Sequence, residues 1–215
     1  MRKALATLVF LFIAVSAFGS KSMQLPASDP KADAQRAYND GLRYRDRAWN
    51  AEKELKTTTD PKRRATLEEV IAKSYKADAR QQTQAIRLDS SLYQAQTELG
   101  YALRKTGDYQ GSLAAYDKAL EMMPGYAEAV EYRGEAYLAL NRVDDAKAAY
   151  LLLFNGGDKD RSRLLGEAMQ SWIAARKTDP AGVAPDALAK FTQWVGERKE
   201  IAANAGTASG GGSWK

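Results

Sequence analysis

Apolar residues recur through the middle of the chain at a fixed spacing of 34 positions. In this register small residues match small ones and large residues match large ones. The clearest pairs are Ala95/Ala129, Gly100/Gly134, Ala102/Ala136, Ala114/Ala148, Ala115/Ala149 and Tyr116/Tyr150. Small residues let two helices approach closely, and large residues fill the space between neighbouring helix pairs. The pattern therefore predicts two stacked helix–turn–helix units, over 93–126 and 127–160.

Each unit also carries a characteristic order of residues. The first unit contains Leu99-Gly100, Leu103, Gly107-Asp108-Tyr109, Ser112, Tyr116, Ala119 and Pro124. The second keeps Gly134, Tyr137, Ala146 and Tyr150, but it has Asn141 and Val143 at the turn and lacks the closing proline. This order resembles the tetratricopeptide repeat (TPR) family. The resemblance implies an all-α fold, a TPR-like right-handed α-solenoid of antiparallel helix pairs that binds proteins or peptides.

The segment before the two repeats predicts a longer helix pair. Gly41 aligns with Gly100, but the two residues are further apart than one repeat allows. Asp60-Pro61 is typical of an N-cap followed by the first residue of a helix. Apolar residues then recur every fourth position, at Leu67, Ile71, Tyr75 and Ala79. We therefore expect an elongated, divergent TPR-like hairpin over 34–92, with helices over 34–56 and Pro61–Leu88.

Two more amphipathic helices are predicted after the repeats, over 161–177 and 186–203. Neither carries a convincing TPR signature. An α-solenoid needs an atypical end unit to cover its last apolar face, so 161–204 is predicted to be a C-terminal capping helix pair. The Gly/Ser-rich segment 205–215 is predicted to be a disordered tail. Trp214, within this tail, is either a docking residue or a residue without a role.

The N-terminus has the features of a targeting signal. Two basic residues precede an uncharged apolar run that ends at Phe18. Such a run predicts a signal peptide over 1–19, cleaved after about Ala17 or Gly19, with an uncleaved anchor as the alternative. A flexible linker is expected over 20–33. We therefore expect an exported bacterial protein, periplasmic or secreted, with no stable membrane insertion after cleavage.

Composition narrows the chemistry that this protein can perform. The 215 residues include no Cys and no His, which excludes disulfides, thiolate metal sites and Ser-His-Asp catalysis. The formal charge of +5 falls to +3 if Arg2 and Lys3 are removed with the signal peptide. Export and this small charge make nucleic acid an unexpected partner. Adjacent acids such as Asp144-Asp145 point in different directions on a helix, and the sequence has no Gly-rich phosphate loop, His-based metal motif or nucleophile elbow, so no enzyme activity, metal or cofactor is expected.

The TPR resemblance implies a concave groove built from the first helix of each unit, in which a partner peptide or helix lies. The candidate groove residues are Gln94, Thr97, Tyr101, Arg104, Lys105, Glu128, Glu131, Glu135 and Leu138. The three glutamates share one helical face. They form either a solvated acidic face or a site for a basic partner segment, and Arg133 and Lys147 are the cations expected to neutralise them internally.

These features predict a non-catalytic protein–protein interaction module, an envelope scaffold or assembly factor. The alternative is a self-associating structural protein that forms a homo-oligomer through its repeat ends or its long hairpin. A more remote alternative is a carboxylate-dependent envelope hydrolase, since paired carboxylates suffice for glycoside hydrolysis.

Overall fold

The computed structural model describes residues 29–208, with side chains to residue 204. Within this range the chain forms eight helices that pack in consecutive pairs, and it forms no strand. The helices are α1 Pro30–Leu55, α2 Pro61–Leu88, α3 Tyr93–Lys105, α4 Tyr109–Met122, α5 Ala127–Ala139, α6 Val143–Asn155, α7 Lys159–Thr178 and α8 Pro185–Ala208. The predicted all-α solenoid of helix pairs is confirmed. The predicted signal peptide and Trp214 lie outside the described residues.

The first pair, α1 and α2, is the elongated hairpin. Helix α2 has the predicted bounds, and the Asp60 side chain accepts a hydrogen bond from the Lys62 backbone N–H at 3.2 Å. Helix α1 begins before the predicted start at residue 34, because Asp29 caps it by accepting from Lys31 N–H at 3.0 Å. Residues 30–33, predicted as linker, are therefore helical. At 26 and 28 residues, these helices are about twice as long as those of the repeats.

The two repeats, α3–α4 and α5–α6, have matching turns. Gly107 in the first turn and Asn141 in the second both have a positive φ, of 88° and 58°. This agrees with the prediction that Asn141 adopts the left-handed conformation that glycine supplies in the first repeat. An asparagine also offers a side chain: its Oδ1 accepts from Arg176, and its Nδ2 donates to the Ala181 carbonyl at 3.0 Å. The second turn is thereby tied to the C-terminal pair.

Three glycines mark the places where a first helix approaches its partners most closely. A Cβ at Gly100 would lie 2.5 Å from the Tyr116 ring, and a Cβ at Gly134 would lie 2.6 Å from Leu165. A Cβ at Gly41 would overlap the Gln82 side chain on α2. The alignment of Gly41 with the two repeat glycines therefore corresponds to a shared packing role.

The C-terminal pair, α7 and α8, covers the last apolar face. Leu165, Met169 and Trp172 of α7 and Phe191 of α8 are buried in one core with residues of α5 and α6. Helix α7 begins two residues before the predicted position, because the Asp158 side chain accepts from Arg161 N–H at 2.9 Å. Helix α8 continues to Ala208, so residues 205–208 are helical and not part of a disordered tail.

We predict that Gly100→Ala lowers the free energy of unfolding by about 2 kcal/mol, since the new methyl group must displace the fully buried Tyr116 ring. Gly196→Ala is the matched control, because no atom lies within 4 Å of its added Cβ. There the better helix propensity of alanine should raise stability by about 0.5–1 kcal/mol. Urea denaturation measures both values. Equal effects of the two substitutions would contradict the close approach at Gly100.

Candidate partner-binding face

Charged side chains connect each odd-numbered helix to the next one along the solenoid. Between α1 and α3, Arg45 pairs with Glu98 at 2.6 Å. Between α3 and α5, Arg104 pairs with Glu135 at 2.5 Å. Arg161 joins α7 to α5. We call the full set the charge ladder; its members are Arg45, Glu52, Glu98, Arg104, Lys105, Glu128, Glu131, Glu135 and Arg161.

Arg161 joins α7 to α5 through two ion pairs, one to each of two glutamates. The two Nη atoms of Arg161 lie 2.5 Å from Glu131 and 3.0 Å from Glu128. Burial raises the pKa of Glu131, while the hydrogen bond from Arg161 opposes this shift. A buried carboxylate is costly unless it is paired and hydrogen-bonded. The position of α7 against α5 therefore depends on this arginine.

Aromatic side chains pack directly beside the charge ladder. The Trp49 indole N–H donates to the Tyr101 hydroxyl at 2.7 Å. The Tyr101 ring contacts both Tyr75 and Tyr132, with centroid distances of 5.9 and 4.9 Å. The Arg45 guanidinium lies 4.2 Å from the centroid of the Trp49 ring. Cation–π contacts and ion pairs thus fix the same side chains.

Five of the nine predicted groove residues, Arg104, Lys105, Glu128, Glu131 and Glu135, belong to the charge ladder, but the structure buries four of the nine. Thr97, Tyr101, Glu131 and Leu138 are each less than one-tenth exposed. Thr97 uses its hydroxyl to donate to the Tyr93 carbonyl at 3.0 Å. These four side chains offer almost no surface to a partner. The remaining five, Gln94, Arg104, Lys105, Glu128 and Glu135, are partly exposed.

The expectation of a solvated acidic face is wrong, and so are the cations expected to neutralise it. Glu131 is only 3% exposed. Arg133 pairs with Asp117, and Lys147 pairs with Asp144. The neutralising cations come instead from Arg104 and Arg161.

Sequence reasoning missed Arg45, Trp49 and Arg161 as members of this face. Arg161 lies beyond the second repeat and outside its register, whereas the alignment of Gly41 with Gly100, extended by four residues, places Arg45 opposite Arg104. The sequence carried only a weaker indication of these residues. All three are Trp or Arg residues on helices predicted to flank the repeats, and a full-length helix alignment would have placed them beside the groove.

A buried polar cluster lies where the hairpin meets the first repeat. Burial raises the pKa of Asp78 to about 7, although Gln82 donates a hydrogen bond to its Oδ1 at 2.9 Å. Burial also raises the pKa of Glu98 to about 7, against the opposing charge of Arg45. The negative charge of Glu98 further raises the pKa of Asp78. Its second oxygen, Oδ2, has no hydrogen-bond partner within the described part of the chain.

Neither a metal site nor a membrane span stands out in the described range. Among residues 29–208, no group of three or more acids is placed to hold a metal ion. No helix in this range is both long and apolar enough to cross a bilayer.

Comparison with known protein families places this geometry in context. Residues 103–166, from the end of α3 into α7, match the family described as tetratricopeptide repeat. This segment of the chain consists of tetratricopeptide repeats. TPRs generally mediate protein–protein interaction, and the family is typically non-catalytic. No curated protein matches the chain significantly.

We predict that Arg161→Met lowers the free energy of unfolding by about 2–3 kcal/mol at neutral pH, because it leaves Glu131 buried without a cation. Arg163→Met is the matched control, two residues further along α7. Its ion pair with Glu167 is largely solvated and should contribute no more than about 0.5 kcal/mol. Chemical denaturation measures the free energy of unfolding of both variants. Similar losses of stability in the two variants would show that the ion pairs between α5 and α7 contribute no more than a solvated surface pair.

We predict that wild-type stability falls as pH rises from about 4 to about 7. A carboxyl group with a raised native pKa stabilises the fold fully below its unfolded pKa and loses that contribution as pH rises through the native value. Asp78→Asn should flatten this slope and make the protein more stable than wild type at pH 7.5, by up to about 4 kcal/mol.

The control for this prediction is Glu69→Gln on the exposed side of the same helix, which should not flatten the slope, because the hydrogen bond from Lys73 lowers the pKa of Glu69 and its contribution has the opposite sign. Thermal or urea denaturation across this pH range gives the slopes. Parallel slopes for wild type and Asp78→Asn would contradict the role assigned to Asp78.

Proposed function

We propose that this protein is a non-catalytic interaction module that holds a peptide or helix of a partner protein against the odd-helix face. By this we mean the surface of α1, α3, α5 and α7 that carries the charge ladder. The observation that carries the proposal is the exposure of Trp49. Its side chain is 38% exposed, although it lies on the same face as the charge ladder. Tryptophan is among the residues most enriched at the energetic centres of protein interfaces.

Trp49 is also held in one orientation before any partner arrives. The hydrogen bond to Tyr101 satisfies its only polar group, and Arg45 covers part of its ring. What it still exposes is therefore mainly apolar surface. Since its rotamer is already fixed, a partner gains contact area without ordering this side chain, which reduces the entropic cost of binding.

The charge ladder affects which partners fit. Its cations and carboxylates neutralise one another across neighbouring helices, so they present little unpaired charge. A partner is then recognised chiefly by apolar contact at Trp49 and by local hydrogen bonds to partly exposed groups such as Gln94 and Lys105. Such binding depends only weakly on salt concentration.

The cellular role that fits these properties is that of a scaffold or assembly factor in the bacterial envelope. Support for the location comes from the N-terminal sequence, which has the charge and apolar run of a signal peptide. Support for a non-catalytic role comes from the family and from the acids themselves. Asp144 and Asp145 pair with Lys147 and Arg142, each on the solvent side.

The proposal is tested with Trp49→Ala, compared with Tyr44→Ala on the same helix. Tyr44 is similarly exposed, at 36%, but it faces α2 residues such as Lys73 and Ala77. Quantitative crosslinking and capture from the native envelope fraction should recover a specific protein with wild type and with Tyr44→Ala. Recovery should fall about tenfold or more with Trp49→Ala, as for a hot-spot residue.

Tyr101 and Arg104 are unsuitable for this test, because both are packed between helices and their replacement would disturb the fold. If Trp49→Ala, shown to be folded by circular dichroism, captures its partner as well as wild type, the assignment of this face is wrong.

A further inference from the structure

A cavity of about 550 Å³ lies between α6, α7 and α8, and its lining shares no residue with the charge ladder. Its walls are mostly apolar, formed by Tyr150, Phe154, Met169, Trp194 and Val195. The volume falls within the range of pockets that bury small-molecule ligands. The Trp194 ring meets the Tyr150 ring edge-on at 5.5 Å, which fixes two of these walls against each other.

Four cationic side chains also line this cavity: Lys159, Arg163, Arg198 and Lys199. The one carboxylate among its described lining residues, Glu167, is bound by Arg163 at 2.7 Å. Within the described part of the chain, the other three cations form no ion pair. This contrasts with the odd-helix face, where the cations of the charge ladder are paired.

One polar atom of Arg198 also lacks a hydrogen-bond partner within the described residues. Its Nε is shielded from solvent and has no hydrogen-bond partner in the described structure. Its guanidinium lies 5.6 Å from the centroid of the Trp194 ring, at the apolar wall. A guanidinium beside an apolar wall favours an anion that can accept its N–H groups.

Charge and apolar surface are separated along the cavity. Helices α7 and α8 run antiparallel across the loop 179–184, so the start of α7 lies opposite the end of α8. Lys159 and Arg163 at the start of α7 therefore lie near Lys199, whereas Met169 and Trp194 lie deeper along the pair. The cations thus lie toward one end of the cavity, whereas the walls deeper along the helix pair are apolar, which matches a ligand with an anionic head and a hydrocarbon tail.

We propose that this cavity binds a long-chain carboxylate, a fatty-acid-type amphiphile. The carboxylate pairs with Arg198 and Lys199, and the chain lies between Tyr150, Met169 and Trp194. This site is separate from the odd-helix face and does not depend on the function proposed above, so either assignment stands if the other fails.

The test is isothermal titration calorimetry of the purified protein with dodecanoate below its critical micelle concentration. Dodecanol and dodecyltrimethylammonium serve as the neutral and cationic probes. We expect one dodecanoate per chain, bound at least about tenfold more tightly than either other probe, since a hydrogen-bonded charge adds that much affinity. Similar binding of all three probes, or no binding of dodecanoate, overturns the proposal.

Two variants assign the head and the tail of the ligand. The double variant Arg198→Gln with Lys199→Gln should weaken dodecanoate binding about 10- to 100-fold and leave dodecanol binding unchanged. Lys190→Gln, exposed on the same helix outside the lining, is the matched control and should bind like wild type. Gly166→Leu places a side chain into the cavity beside Tyr150 and should abolish binding of both ligands.

Circular dichroism establishes that each variant is folded before its titration is interpreted. Unchanged dodecanoate affinity in the Arg198/Lys199 double variant would mean that these cations do not hold the head group, and the proposal fails.

Discussion

The ion pairs between successive odd-numbered helices are the constraint on which the arrangement of this solenoid depends. Each pair joins a helix to the next unit rather than to its own partner, and two of the carboxylates, Glu98 and Glu131, are almost fully buried. A buried charge without its partner costs several kcal/mol, whereas a satisfied pair contributes little net stability. The ladder therefore acts by making misaligned neighbours costly. It fixes the stagger between units, and with it the position of Trp49 above Tyr101.

Local features of the fold could be predicted because their causes lie close together in the sequence. The start of α2 follows from Asp60-Pro61, and the left-handed turn at Asn141 follows from its place in the repeat. The shared role of Gly41 and Gly100 also follows from their register, since each occupies the contact between a first helix and its partner. Each of these features can be predicted from a helix cap, a turn residue or the repeat period alone.

The ladder could not be predicted in the same way. Arg45 and Glu98 are 53 positions apart, and Arg161 is 30 from Glu131. Many surface charges of either sign compete as partners at such separations, and only helix packing selects among them. The groove register correctly gathered Arg104, Glu128 and Glu135 onto one face, but it could not distinguish exposed members from buried ones such as Glu131. That difference depends on the neighbouring unit, which lies outside the repeat itself.

The glycine contact inside the long hairpin differs physically from the glycine contacts of the two repeats. Gly100 and Gly134 face the apolar side chains Tyr116 and Leu165, whereas Gly41 faces Asp78 and Gln82. Polar groups replace hydrocarbon at the equivalent contact, and one Asp78 oxygen there lacks a partner in the described structure. An apolar contact has no such sensitivity to protons. The hairpin is therefore the unit whose internal packing depends on pH, and because α1 carries Trp49, the orientation of that residue depends on the same contact.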